Sequence, residues 1–300
     1  TKDEIATTKL KANKVYDENI DIKLATISAT KNDYSAILVK DEAVVTLRES
    51  FINKYSGIIS DNTKQEEYGL NSTIAVAYGS KLKITDTKIE TSTEYTNAIY
   101  VSGPKSKVEL IDSNITSFAV YSNGLVSSTN GHIAVQHSDI ITKFRYSPAI
   151  VVKDEKGKID LQNNVMLETH AGDSPLFKSS GTITMTDSTG SAYKSRIGIL
   201  TGGNLTITNS TIKAAGKSDN TQEDEIAAGF IIKGTDKETN VNIKNSSINI
   251  NDQNHYFDNT TMFDIANTKA NISLDKTQLY FGNGKLLNIT NSNTTLNLDN

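Results

Sequence analysis

The chain has 300 residues and a formal net charge of −4 at pH 7, with charges of both signs interspersed. It shows neither the basic footprint of a protein that binds nucleic acid or an anionic membrane nor an apolar run long enough to insert into a bilayer. Cysteine is absent, which excludes disulfides, thiolate metal ligands and cysteine nucleophiles and favours bacterial export over eukaryotic secretion.

The first 30 residues form a charged segment that fits the pattern of the remaining chain poorly. Lys2, Asp3, Glu4, Lys9 and Lys11 all lie in its first half. Residues 1–30 therefore predict either an N-terminal cap or an atypical first coil, and the sequence leaves both open.

From residue 31 onward, the pattern apolar-x-apolar-x-(Asp/Asn)-(Ser/Thr)-x-(Ile/Leu) recurs along the chain. Clear copies begin at Leu82, Val108, Ile133, Leu205, Val241 and Ile272, and degenerate copies begin at Val45, Ile159, Ile183 and Leu296. Between Leu82 and Leu205, successive copies are 22 to 26 residues apart. A unit this short cannot bury a core alone, so the copies are expected to stack as a solenoid.

Each unit contains three short segments with strand character. A dense apolar run such as Ala98–Val101 precedes the alternating motif, and a third segment surrounds the final Ile or Leu. The sequence thus predicts an all-β, single-stranded parallel β-helix with three strands per coil and roughly ten to eleven coils. This helix would span residues 31–300 and be cut in mid-coil at the C-terminus.

The Asp/Asn-Ser/Thr pair between the second and third segments indicates a tight bend. Examples are Asp86-Thr87 and Asp112-Ser113. Asp and Asn tolerate the left-handed backbone region, and Ser and Thr can bond to nearby backbone groups. In stacked coils these side chains would lie above one another and form hydrogen-bonded ladders.

The dense apolar runs predict a binding face on the first strand of each coil. Successive side chains of a strand alternate, so if Ile99 and Ile150 point inward their neighbours point outward. The residues expected on this outer face are Tyr100, Val151, Phe177, Leu200, Lys153, Lys178 and Lys233. Two alternatives stay open: loops or the N-terminal segment cover this stripe, or the predicted register is wrong by one residue.

A search for catalytic and metal-binding residues identifies no candidate. The chain contains three arginines and no Asp-Asp pair, and the His132/His137 spacing places these side chains on opposite faces of a strand. We therefore predict no catalytic residue, no metal site and no cofactor.

With these motifs the chain resembles the right-handed parallel β-helix (pectin-lyase-like) superfamily, which includes pectate lyases and bacterial adhesin passenger domains. More narrowly, it looks like exported adhesin-like β-helix proteins of low-GC bacteria, on stretches such as Tyr68–Thr73, Asp173–Leu176, Gly181–Thr186 and Met262–Ile265. The resemblance covers roughly residues 33–300 and implies right-handed winding, which parallel crossovers also favour.

The scaffold hosts several activities, so function remains a separate prediction. The first hypothesis is a non-enzymatic adhesin-like binding module or stalk, extracellular or on a bacterial cell surface. Its partners would be a glycan, a host or cell-surface protein, or a second copy docked along the apolar strand. The alternative is a carbohydrate-active enzyme, a polysaccharide lyase or glycoside hydrolase, with a groove along the first strands.

Overall fold

The computed structural model describes residues 9–216, 227–234, 236–250 and 260–299. Within these ranges the chain winds into a right-handed parallel β-helix of about eleven coils, which confirms the predicted fold. The strands form three parallel sheets, and each strand pairs with the equivalent strand of the coil before and the coil after it.

The first sheet contains the dense apolar runs. Its eleven described strands, in stacking order, are β1 (Lys11–Tyr16), β4 (Tyr34–Val39), β7 (Ile74–Ala77), β10 (Ile99–Ser102), β13 (Leu125–Ser128), β16 (Ile150–Val152), β19 (Phe177–Ser179), β22 (Gly198–Leu200), β25 (Ala228–Lys233), β28 (Thr261–Ala266) and β31 (Leu287–Thr290).

The second sheet contains the alternating motif. Its described strands are β2 (Ile20–Lys23), β5 (Val44–Arg48), β8 (Lys81–Thr85), β11 (Lys107–Ile111), β14 (His132–Gln136), β17 (Lys158–Gln162), β20 (Thr182–Thr186), β23 (Gly203–Thr208), β26 (Glu238–Lys244), β29 (Lys269–Asp275) and β32 (Asn293–Asp299).

The third sheet closes each coil. Its described strands are β3 (Thr26–Ala29), β6 (Phe51–Lys54), β9 (Lys88–Thr91), β12 (Asn114–Ser117), β15 (Asp139–Thr142), β18 (Met166–Thr169), β21 (Thr189–Ala192), β24 (Thr211–Ala214), β27 (Ser247–Ile250) and β30 (Gln278–Tyr280). A short helix, α1 (Thr63–Tyr68), lies in the long loop after β6. No helix in the described ranges is long and apolar enough to cross a membrane.

Every predicted motif copy falls in one register. The first apolar residue of each copy pairs with that of the next, from Val45 through Leu82 and Val108 to Leu296. Ile20 extends this column by one coil at the N-terminal end. Strands β1, β2 and β3 pair with β4, β5 and β6, so residues 11–29 form a coil; residues 1–8 and 300 lie outside the described ranges.

The predicted bends and ladders are present between the second and third sheets. Asp86 and Asp112 both have left-handed backbones, with φ of 48° and 50°. The backbone N–H of Thr87 donates to Oγ of Ser113 at 3.1 Å, and Oγ of Ser113 donates to the carbonyl of Ile111 at 2.8 Å. Each hydroxyl thus satisfies a backbone donor of the preceding coil, which would otherwise be buried without a partner.

The core is a set of aliphatic columns that run the length of the helix. Between the terminal coils, the inward aliphatic side chains of all three sheets are almost fully buried and belong to one continuous cluster. Because each coil buries its lining against the coils on either side, damage to one coil removes support from its neighbours.

The register of the first sheet corrects two predicted outer-face residues. Phe177 pairs with Ile150, so it occupies the inward column, and Leu200 pairs with Ser179 and Ile232 in a second inward column. Both side chains are buried in the core. The prediction was wrong because a residue's place in an apolar run does not fix its orientation: Ile150 pairs with Phe177 and not with Leu176.

The outward column between these two inward columns is here called the outer column. From the second coil onward it consists of Leu38, Ala75, Tyr100, Val126, Val151, Lys178, Ile199, Ile231, Asp264 and Asn288.

One lysine lies inside the helix. Lys54 pairs with Thr91 in an inward-facing column of the third sheet and is fully buried. Its Nζ donates to the carbonyl of Lys31 at 3.0 Å. Burial lowers the pKa of Lys54 to about 8, although the negative charge of Asp33 acts in the opposite direction.

Substituting a core residue by a charge should unfold several coils. Ile207 is fully buried, so Ile207→Asp places a carboxylate in the aliphatic stack and should cost more than about 3 kcal/mol of unfolding free energy. Thr206→Asp, on the outer side of the same strand, is the matched control and should change stability little. Equal urea midpoints for the two variants would contradict the inward assignment.

Stability should rise with pH because of Lys54. The folded-state pKa, about 8, lies below the unfolded value of 10.5, so the unfolded chain binds more protons between these pH values. From pH 7.5 to 9.5 the unfolding free energy should increase by about 2 kcal/mol relative to Lys54→Met, which lacks the titrating group. Urea titrations of both proteins across this range measure the difference, and parallel profiles would refute the prediction.

Candidate functional site

A groove of about 360 Å³ lies on the outer face of the first sheet. Its floor contains Val126, Val151, Lys178 and Ile199, which occupy consecutive positions of the outer column. The groove therefore runs along the axis of the β-helix over four coils. Its volume lies at the lower end of the range found for small-molecule sites.

Three tyrosines, here called the tyrosine stack, form a column in the turns that lead into the first sheet. The ring centroids of Tyr95 and Tyr121, and those of Tyr121 and Tyr146, are each 4.6 Å apart, with nearly parallel planes. Tyr121 and Tyr146 line the groove and are 38% and 41% exposed. Because the ring faces are largely used within the stack, the tyrosines present mainly ring edges and hydroxyl groups to a ligand.

The tyrosine stack adopts a backbone conformation that is unusual for aromatic residues. Tyr95, Tyr121 and Tyr146 have φ of 55°, 53° and 57°, in the left-handed region. The following residues hold this turn in place, since the N–H of Ser122 donates to Oγ of Ser147 at 3.0 Å. Backbone strain at three stacked aromatic residues, two of them exposed, is typical of a functional surface rather than of a simple bend.

An ion pair continues the wall beyond the tyrosine stack. Arg145 donates from Nη2 to a carboxylate oxygen of Asp173, and its guanidinium carbon lies 5.3 Å from the ring centroid of Tyr146. Asp173 occupies the next left-handed position of the same turn and lines the groove. Burial is the main effect that raises the pKa of the Tyr121 hydroxyl, and the adjacent Tyr95 and Tyr146 raise it further. The hydroxyl therefore keeps its proton at neutral pH.

Side-chain amides lie between the tyrosine stack and the floor. Nδ2 of Asn123 donates to Oδ1 of Asn97 at 2.9 Å, and Nε2 of Gln65 donates to the same oxygen at 3.2 Å. In the next two coils, the position equivalent to Asn97 and Asn123 is occupied by Pro148 and Pro175, which also line the groove. The amides retain further donor and acceptor capacity that a polar ligand can use.

The wall of the groove opposite the tyrosine stack carries hydroxyl groups and Lys153. Lys153 and Thr201 line this side, where the hydroxyls of Ser180 and Thr201 are 2.6 Å apart. Lys178 projects from the floor and is exposed. Among the described lining residues, carboxylates come from Glu66 and Asp173, and Asp173 is already paired with Arg145.

The structure places some of the predicted outer-face residues in the groove and others outside it. Val151, Lys153 and Lys178 line the groove. Tyr100 points outward as expected but is 1% exposed, because the loop that contains α1 covers it. Lys233 is exposed at the end of β25 and is not among the residues that line the groove.

The sequence interpretation missed the tyrosine stack, although a signal was present. Tyr95, Tyr121 and Tyr146 recur at the coil interval, and each is followed by Ser or Thr. Asp173-Ser174 is the next member of the same series. An alignment of the turns, in addition to the strands, would have placed these side chains above one another.

Histidines and acidic residues form pairs elsewhere on the surface. Nε2 of His132 lies 2.8 Å from Oδ2 of Asp160, and Nε2 of His170 lies 2.7 Å from Oε2 of Glu168. In the part of the chain that the structure describes, no group of three His, Asp or Glu residues is arranged to hold a metal ion. A scan against protein-family models and a search of curated proteins each found no match to this chain.

The left-handed backbone of the tyrosine stack leads to an unusual order of stability. At Tyr121, glycine adopts the required φ of 53° without strain, whereas alanine does not. We therefore expect Tyr121→Gly to be more stable than Tyr121→Ala by about 1 kcal/mol. Thermal melting of the two variants measures this difference, and Ile141, on an extended strand of the third sheet, is the control position where alanine should be the more stable residue. If alanine is also preferred at Tyr121, the backbone assignment is wrong.

Proposed function

We propose that the protein is a carbohydrate-binding β-helix of an exported bacterial surface protein, and that it binds a linear glycan in the groove of the first sheet. The observation that carries this proposal is the groove itself, where phenol, hydroxyl and amide groups surround an apolar floor. The adhesin-like role suggested by the sequence resemblance is consistent with such a site.

The lining matches the chemistry of a sugar chain. Tyr121, Thr201 and Asn123 supply donors and acceptors to ring hydroxyls, while Ile199, the more accessible apolar residue of the floor, contacts the less polar ring faces. The groove extends across four coils, so it offers an elongated site on the order of 14 Å long to a polymer.

A peptide ligand is less well matched. Strands β13, β16, β19 and β22 beneath the groove are each paired on both sides, so they offer no free edge for an added peptide strand. The groove would have to bind a peptide through side chains alone. Peptide binding with no glycan binding would overturn the proposal.

The lysines favour an acidic glycan. Lys178 on the floor and Lys153 on the wall face the same groove, whereas Asp173 is neutralised by Arg145. A carboxylate or sulfate group on the ligand would be attracted to these lysines, and this contribution should weaken as salt concentration rises.

The enzyme alternative predicts a different outcome. Paired-carboxylate hydrolysis requires two acids on either side of the scissile bond. Glu66 and Asp173 both line the groove, but the carboxylate of Asp173 is already engaged in an ion pair with Arg145. Release of new chain ends from a bound polysaccharide would overturn the assignment as a binding module.

A glycan array probed with the purified protein tests the proposal. We expect binding to acidic linear glycans and a loss of at least about tenfold in affinity for Lys178→Glu, which reverses the charge on the floor. Lys213→Glu, an exposed lysine on the outer face of the third sheet, is the matched control and should bind like the parent. Absence of binding to every glycan, or equal effects of the two substitutions, would refute the proposal.

A further inference from the structure

The groove is closed at the end nearest the N-terminus. The outer column is covered over three coils, because Leu38 and Ala75 pack with Leu10, Tyr68 and Leu70 in a second apolar cluster. Tyr100, the next member, lies beneath the turn after α1.

Glycine at position 69 makes this close cover possible. Gly69 has φ of 76°, and a Cβ at this position would lie 2.3 Å from Cδ1 of Tyr100. The backbone of the turn therefore rests directly on the tyrosine ring. Only from Val126 onward is the outer column part of the groove.

Helix α1 is fastened across the groove at this point. Nε2 of Gln65 donates to the backbone carbonyl of Tyr121 at 2.6 Å and to Oδ1 of Asn97 at 3.2 Å. Gln65 is itself buried, so these bonds connect the helix to the turns beneath the tyrosine stack. The adjacent Glu66 is exposed and lines the groove.

We propose that this closed end makes the groove a site for the terminus of a glycan chain, not for an internal stretch. The inference rests on the proposed carbohydrate-binding function and adds the manner of binding. A glycan chain that lies along the floor cannot continue past Gln65 and Glu66 without displacing α1, which is hydrogen-bonded to two coils.

Charge is distributed along the groove in a way that orients the chain. Glu66 at the closed end accepts hydrogen bonds from the hydroxyls of the terminal sugar and disfavours an acidic group there. Lys178 lies three coils beyond Tyr100 in the outer column, on the order of 14 Å along the axis. A glycan with a neutral terminal sugar beside Glu66 and an acidic sugar beside Lys178 matches the charges of both residues.

The test compares free and capped oligosaccharides by calorimetry. The probes are linear hexasaccharides of the cello, malto, chito, xylo and galacturonate series, together with any glycan that binds on the array. Each is used with both ends free, with a bulky aryl group on the reducing end, and with the same group on the non-reducing end. For the probe that binds, we expect a cap on one end to lower the affinity by at least about tenfold and a cap on the other end to change it little.

Variants of the wall make the test specific. Glu66→Gln should weaken binding of the uncapped probe several-fold, whereas Glu67→Gln, an exposed neighbour paired with Lys64, should not. The double variant Gln65→Ala, Glu66→Ala opens the wall and should bring the blocked probe to within about threefold of the free one. Urea midpoints of all variants verify that they are folded.

The outcomes separate the two proposals. If free probe and both capped forms bind within about twofold of each other, the groove holds internal stretches and chain-end binding is wrong, while the carbohydrate-binding function stands. If no hexasaccharide and no array glycan binds, both proposals are wrong. Unchanged discrimination between free and capped probes in the double variant would exclude the side chains of Gln65 and Glu66 as the wall.

Discussion

In-register stacking of equivalent residues is the constraint on which this structure depends. Because each strand pairs with the same strand of the next coil, each position of the repeat becomes a column parallel to the axis. Any property of that position is then repeated about every 4.8 Å. The aliphatic columns bury the core, and without them no single coil has enough apolar surface to fold.

The same constraint explains how the polar corners are tolerated. A tight corner needs a left-handed residue and exposes backbone donors that the coil itself cannot satisfy. In this protein a hydroxyl from the next coil accepts the donor, as Ser113 does for Thr87 and Ser147 does for Ser122. Hydrogen bonding at the corners is thus a property of neighbouring coils, and it favours one register because a shifted coil would leave these N–H groups unpaired.

The candidate site arises where the columns depart from the repeat. Tyrosine occupies the left-handed position of the turn into the first sheet in three consecutive coils, and the long loop after β6 inserts α1 across the outer face. The regular coils supply a rigid floor, whereas the irregular positions supply the polar walls and the closed end. Rigid support of this kind reduces the entropy that a ligand must overcome to order its site.

Several features could be read from the sequence because they depend on local periodicity. The motif starts at Leu82 and Val108, the alternation within each strand and the Asp-Ser bends all repeat at the coil interval, and together they determined the β-helix and its register in the second sheet. Tertiary structure alone decided the remainder. The orientation of Phe177 depends on its pairing with Ile150 of the preceding coil, which the order of residues in an apolar run does not reveal. Tyr100 is buried because the loop that contains Gly69, more than 30 residues earlier in the chain, packs on its ring. The contact between Gly69 and Tyr100 joins segments that are not separated by the coil interval, so no pattern within a single repeat could predict it.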